Sequence, residues 1–161
     1  MKRLALLINE QAVRERVTDT LGDGVSVDTF PTAAKALTGL TATRYDLIVM
    51  DWKVYPGFGA DDEVLRELAT TLPNIRHNEN LLYWQVILRV LELLREEDAS
   101  NRSTPVVLRL PHLFDYRFGM ELEDPLTLDA VRDDLRGKEP VDALYGVPLA
   151  EFIDAIRRAA A

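Results

Sequence analysis

The chain has no cysteine, which excludes a disulfide framework, a thiolate metal site and a thiol nucleophile. Its only histidines are His77 and His112, and neither has a carboxylate, serine or second histidine at a recognisable catalytic or metal-binding spacing. Positive charge is in short supply: 19 Lys and Arg against 27 Asp and Glu leave a net charge of −8. No basic patch is left to neutralise phosphates, so no nucleic acid is expected as a direct partner. Long apolar runs are also missing. Residues 4–8 are apolar but give way at once to Asn9-Glu10, too soon for a signal-peptide core or a membrane span. The expectation is a cytoplasmic protein with no membrane contact. The Gly57-Phe58-Gly59 loop lacks the lysine and hydroxyl pair that would open a phosphate-binding helix, and it reads as a turn.

What is present suits one packed core. With 161 residues, 47% of them hydrophobic and 29% charged, the chain is expected to form a single domain over 1–161. The run at 4–8 has the pattern of a strand covered on both faces. Ala12, Val13, Val17 and Leu21 follow at helical spacing, stopped by Gly22 and Gly24. Residues 25–30 alternate as a strand near a sheet edge, and Pro31-Thr32 opens a helix carrying Ala33, Ala36, Leu37 and Leu40. A third strand at 47–50 precedes a helix at 62–72. After Pro73 the rhythm breaks, with a long helix at 80–97 that no strand precedes. A fourth strand at 106–110, a helix opened by Asp124-Pro125, a short strand near 143–145 and a last amphipathic helix complete the chain. Alternating strands and helices predict right-handed crossovers and a parallel sheet.

The densest chemical signal is Tyr45-Asp46-Leu47-Ile48-Val49-Met50-Asp51-Trp52, a buried strand running into a lone carboxylate, with Gly59 in the loop beyond. A carboxylate at the carboxyl end of a parallel strand lies where open α/β sheets bind their ligands. This block, the Asn9-Glu10 turn after the first strand, and the Phe30, Ala33, Ala36, Leu37 pattern resemble the receiver domain of two-component response regulators. The resemblance covers most of the chain outside an insertion at about 74–103 and the loop after the fourth strand. It implies a flavodoxin-like (βα)5 fold, a three-layer sandwich on a parallel five-stranded sheet, with the long helix inserted.

The resemblance also implies a site. In the family an aspartate accepts a phosphoryl group as an acyl phosphate, and acidic residues after the first strand help hold Mg2+. Carried onto this sequence, Asp51 matches the phospho-acceptor. Glu10, Asp51, Asn9 and the carbonyl of Lys53 become the metal ligands, with weak Mg2+ binding because Asn9 brings an oxygen without a charge. Leu110 falls where the family has a hydroxyl and Val147 where it has a lysine. Leu144, beside Tyr145, falls near the aromatic switch. Arg109 or Lys53 offers a cation in place of the missing lysine. These departures imply a degenerate receiver that is not an enzyme and signals by protein–protein contact, with phosphorylation atypical or lost.

Two other readings follow from the same residues. One is a true phospho-acceptor with a rearranged site and a histidine kinase as partner. The other is a small-molecule or nucleotide-binding flavodoxin-like protein, or an enzyme, using the crevice around Asn9, Glu10, Asp51 and Lys53. Apart from this crevice, the 80–97 helix is apolar on nearly every side. A helix lying on one sheet face needs an apolar stripe of only about 100°. Leu81, Trp84, Leu88 and Leu91 are therefore candidate contacts for a protein partner or a homodimer; burial between the sheet and the loop at 113–122 is the other outcome.

Overall fold

A computed structural model describes residues 1–71, 79–110 and 128–161. His77, His112, the Asp124-Pro125 cap and the loop at 113–122 lie outside the described residues. The elements run β1 (Lys2–Leu7), α1 (Gln11–Leu21), a 3-10 turn (Gly22–Gly24), β2 (Val25–Thr29), α2 (Ala33–Ala42), β3 (Leu47–Met50), α3 (Glu63–Thr71), α4 (Glu79–Leu94), β4 (Val106–Leu110), α5 (Leu128–Leu135), β5 (Val141–Tyr145) and α6 (Leu149–Ala160).

The five strands form one sheet in the order β2-β1-β3-β4-β5, and every pairing is parallel. Chain direction across the sheet reverses between β1 and β3, so the switch-point crevice opens at the carboxyl ends of these strands. Strand alternation sorts the apolar residues into two cores. Leu4, Leu6, Leu47, Val49 and Val107 face α1 and α6, where they meet Val13, Val17, Phe152 and Ile156. Ala5, Leu7, Ile48, Met50 and Leu108 face the other way, towards α2, α3, α4 and α5. This is the flavodoxin-like sandwich that the family resemblance implies, on the parallel sheet that the βα rhythm predicts.

Local chemistry fixes the helix ends. Gly22, at φ 70°, supplies the positive φ that ends α1. Thr32 caps α2 by accepting from the Lys35 amide, and Asp62 caps α3 by accepting from the Leu65 amide. Arg157 and Arg158 stand in the last turn of α6, where the helix dipole favours cations.

Of the two outcomes open for the long helix, a partner contact or burial, most of its apolar residues are covered by the chain's own sheet and helices. Trp84, Val86, Ile87, Val90, Leu91 and Leu94 of α4 are all in the core over the sheet, whereas α3 contributes only Leu65 and Leu68. Trp84 is 1% exposed and Leu91 0% exposed, so these two are not available to a partner on this fold. Leu81 and Leu88 are half-buried and pack against the same core. The physical reason is simple. A helix that is apolar all round is satisfied when neighbours surround it, and α2, α3 and the sheet do so here. The Trp84 indole N–H is satisfied by the Asp134 carboxylate of α5 at 2.9 Å.

Candidate functional site

Position 51 ends a fully buried strand, and its parity points it to the same side as Leu47 and Val49. The register Ile48↔Val106, Val49↔Val107, Met50↔Leu108, carried one step on, brings Asp51 level with Arg109. Paired residues of parallel strands point to the same face. The consequence is a two-pronged ion pair: Arg109 Nε donates to Asp51 Oδ1 at 2.8 Å and Nη2 donates to Oδ2 at 2.6 Å. The Trp52 amide also donates to Oδ1 at 2.8 Å. The side chains of Asp51 and Arg109 are only 8% and 19% exposed, so solvent screens the pair poorly.

Arg109 is held from below as well. Its guanidinium carbon lies 5.0 Å from the ring centroid of Phe152 in α6, a cation–π contact. Hydrogen bonding to Asp51 holds the guanidinium's pKa above its ordinary value, against the opposing pull of burial, and Glu10 adds a smaller push in the same direction.

Asn9, Glu10, Trp52, Lys53, Tyr55, Leu110, Gly146 and Val147 complete a cleft of about 530 Å³ around this pair. The sequence-predicted set of Asn9, Glu10, Asp51 and Lys53 is thus brought together at one mouth. Lys53 sits at φ 63°, and its ammonium lies 5.9 Å from the Tyr83 ring, turned to an aromatic rather than to Asp51. Trp52 packs edge-on to Tyr83 at 6.4 Å, which ties the cleft wall to α4. Arg14 donates to the carbonyls of Ile8 and Asn9 at 2.7 and 2.6 Å, placing a further cation against the turn after β1.

The residues present do not suit a resident magnesium ion. Both oxygens of Asp51 already accept from Arg109, and Asn9 is uncharged. Among the described residues no three acidic, histidine or cysteine side chains group as a metal site. The lining carries two carboxylates, Glu10 and Asp51, against two cations, Lys53 and Arg109. A divalent ion about 4 Å from the guanidinium would meet roughly 4 kcal/mol of repulsion per charge at an effective dielectric near 20.

The two positions that the resemblance assigns to phosphoryl reading carry apolar side chains. Leu110 is fully buried with its side chain in the opposite core, and its carbonyl accepts from the Gly146 amide at 2.7 Å. Val147 packs against the α1–α6 core. Neither side chain carries a polar atom to offer an incoming oxyanion.

No family model matches the chain, and no curated protein matches it. Solved structures do. Chemotaxis response regulator CheY4 of Vibrio cholerae aligns with TM-score 0.59 at 13% identity, over 99% of this chain and 98% of its own. The receiver domain of Francisella response regulator 1452 aligns with TM-score 0.56 at 14% identity, over 99% and 97%. Response regulator TrrA of Thermotoga maritima, solved in complex with Mg2+-BeF, gives TM-score 0.53 at 16% identity over 99% of both chains. The chain therefore has the receiver fold of response regulators. No helix among its described residues is long and apolar enough to cross a membrane.

Proposed function

We propose that this chain is a receiver-fold signalling module that acts through protein contacts, with Asp51 neutralised by an internal guanidinium instead of by phosphoryl transfer. The observation that carries the reading is the two-pronged Arg109–Asp51 pair at the switch point. An aspartate can attack a phosphoryl group only with a free oxygen lone pair aimed in line. Here the two oxygens accept three donors between them, two from Arg109 and one from the Trp52 amide, and the lone pair left on Oδ2 lies beside a guanidinium that lowers its nucleophilicity. Releasing Asp51 would leave two charges unpaired in a poorly hydrated place, which is far more costly than breaking a surface pair.

In receiver chemistry a metal ion offsets the charge of the acceptor site. Arg109 supplies one positive charge there permanently, so the charge of Asp51 is compensated without an ion. A ligand moves a conformational equilibrium only by interacting differently with its two states. With Leu110 and Val147 in the reading positions, a phosphoryl group has little by which to discriminate states. No catalytic step is assigned to the module. The receiver folds of the response regulators above support the signalling class.

The test is a pair of amide spectra of the isotope-labelled chain, with and without Mg2+ and beryllofluoride. The expected result is unchanged resonances around residues 9–10, 51–55 and 106–110. Saturable shifts centred on Asp51 would overturn the reading in favour of a phospho-acceptor with a rearranged site.

A further inference from the structure

On the other side of the sheet from Arg109, a groove of about 520 Å³ runs between α2 and the C-terminal end of α4. Leu40 and Leu94 are buried in its floor, and Leu37 and Leu93 are half-buried beside them. The exposed side chains at its rim include Asp61, Glu96 and Asp98, and no lysine or arginine is among the described residues that line it.

Two cations of the neighbouring α4 segment, Arg89 and Arg95, are committed elsewhere. Arg89 donates to both oxygens of Asp62 and to Glu92. Arg95 spends its guanidinium on the carbonyls of Asn101, Arg102, Lys138 and Pro140. Among the described residues Asp61, Glu96 and Asp98 enter no ion pair, so the rim presents negative charge over an apolar floor. The loop that lines the groove at Gly59 also carries Phe58, which is 90% exposed. Val64, 41% exposed, stands at the start of the adjoining helix. Exposed apolar groups beside an apolar groove mark an interaction surface wider than a small molecule would use.

We propose that this groove docks a basic amphipathic segment of another protein, inserting apolar side chains onto the four leucines and setting Lys or Arg against Asp61, Glu96 and Asp98. The assignment rests on the protein-contact reading above and names the surface and the partner's chemistry. Charge decides between this occupant and a second copy. Each copy carries −8 overall, so self-association brings like charges together, whereas a basic segment is drawn in by the field of the rim.

The experiment titrates the isotope-labelled chain with a synthetic helical peptide of leucines and lysines at amphipathic spacing, and with the same peptide carrying glutamate for lysine. The expected result is shifts confined to residues 34–41, 58–62 and 93–101, with affinity that falls as salt rises. The glutamate peptide should not bind. The triple variant Asp61→Lys, Glu96→Lys, Asp98→Lys should weaken binding by about tenfold or more. A control with the same charge change on exposed positions elsewhere, Asp19→Lys, Asp23→Lys, Glu151→Lys, should retain it. Thr38→Trp, which fills the groove from an exposed position of α2, should block binding without charge reversal and serves if the triple variant fails to fold.

Shifts scattered over all acidic surfaces, equal loss in the control variant, or a groove occupied by a second copy at sedimentation equilibrium would each overturn the proposal. The beryllofluoride experiment is independent of this one. Spectral change there with peptide binding intact would refute only the silent acceptor, and no peptide binding with silent spectra would refute only the groove.

Discussion

Arg109 grips Asp51 with two parallel hydrogen bonds, Nε to Oδ1 at 2.8 Å and Nη2 to Oδ2 at 2.6 Å, while Phe152 supports the guanidinium from the far side. Two adjacent parallel strands thus bring a carboxylate and a guanidinium together at the mouth of the switch-point crevice.

Removing one partner of this pair should cost more than removing both. Arg109→Gln leaves Asp51 buried and underpaired, and about 3 kcal/mol of stability should be lost. Asp51→Asn with Arg109→Gln should lose less than the sum of the two single changes. Urea unfolding of the four proteins in the cycle measures the difference, and strict additivity would mean that the pair is not coupled.

A second prediction concerns the buried amide at the amino end of the sheet. Asn101 Oδ1 accepts from the Tyr45 amide at 2.8 Å, and Nδ2 donates to the carbonyls of Leu40 and Thr43 at 2.7 and 2.9 Å. It joins α2, β3 and the segment before β4, and it is 1% exposed. Asn101→Leu keeps the volume but strands these backbone groups, so a loss of about 2–4 kcal/mol is expected. A denaturant midpoint within error of the parent would contradict it.

Stability should fall at both ends of the pH range. Asp28 is held below 3.8, chiefly by the Tyr45 hydroxyl, and Asp62 is held below 3.8, chiefly by Arg89. Depressed carboxylates stabilise the fold above their unfolded pKa, and this is lost as pH drops below about 4 through the folded values. Tyr45 is raised to about 12, first by burial and then by Asp28. Its contribution is complete below 10, the ordinary tyrosine value, and is lost as pH climbs from there through 12. Tyr45→Phe should flatten the alkaline limb and shrink the acid limb; unfolding curves across pH read both.

Two neighbouring glycines should respond differently to alanine. Gly57 and Gly59 lie at φ 74° and 77°, so each substitution carries a left-handed strain of about 1–2 kcal/mol. At Gly57 a Cβ would also stand 2.7 Å from the Thr32 side chain, whereas nothing lies within 4 Å at Gly59. The Gly57 variant should therefore be the less stable of the two in thermal melts, and equal melting would remove the contact from the account.

Much of this was legible in the sequence. The βα rhythm predicts the sheet, and the 45–52 block places Asp51 at the crevice beside Asn9, Glu10 and Lys53. The sequence alone leaves both Arg109 and Lys53 open as the substitute cation. The choice depends on the β3–β4 register, a long-range pairing that no local pattern reveals. Helix α4 shows the converse limit. Its all-round apolar surface signals heavy burial, but whether a partner or the chain's own helices supply the cover depends on how α2 and α3 pack around it. The Asn101 hub and the acidic groove gave no local signal, since each is assembled from segments far apart in the chain.

The most direct measurement is intact mass of the chain after incubation with acetyl phosphate and Mg2+, beside the Arg109→Gln variant. The account predicts no phosphoryl adduct on the parent, because both Asp51 oxygens are engaged, and at most partial labelling once Arg109 is gone. A full single-phosphoryl adduct on Asp51 of the parent chain would contradict it.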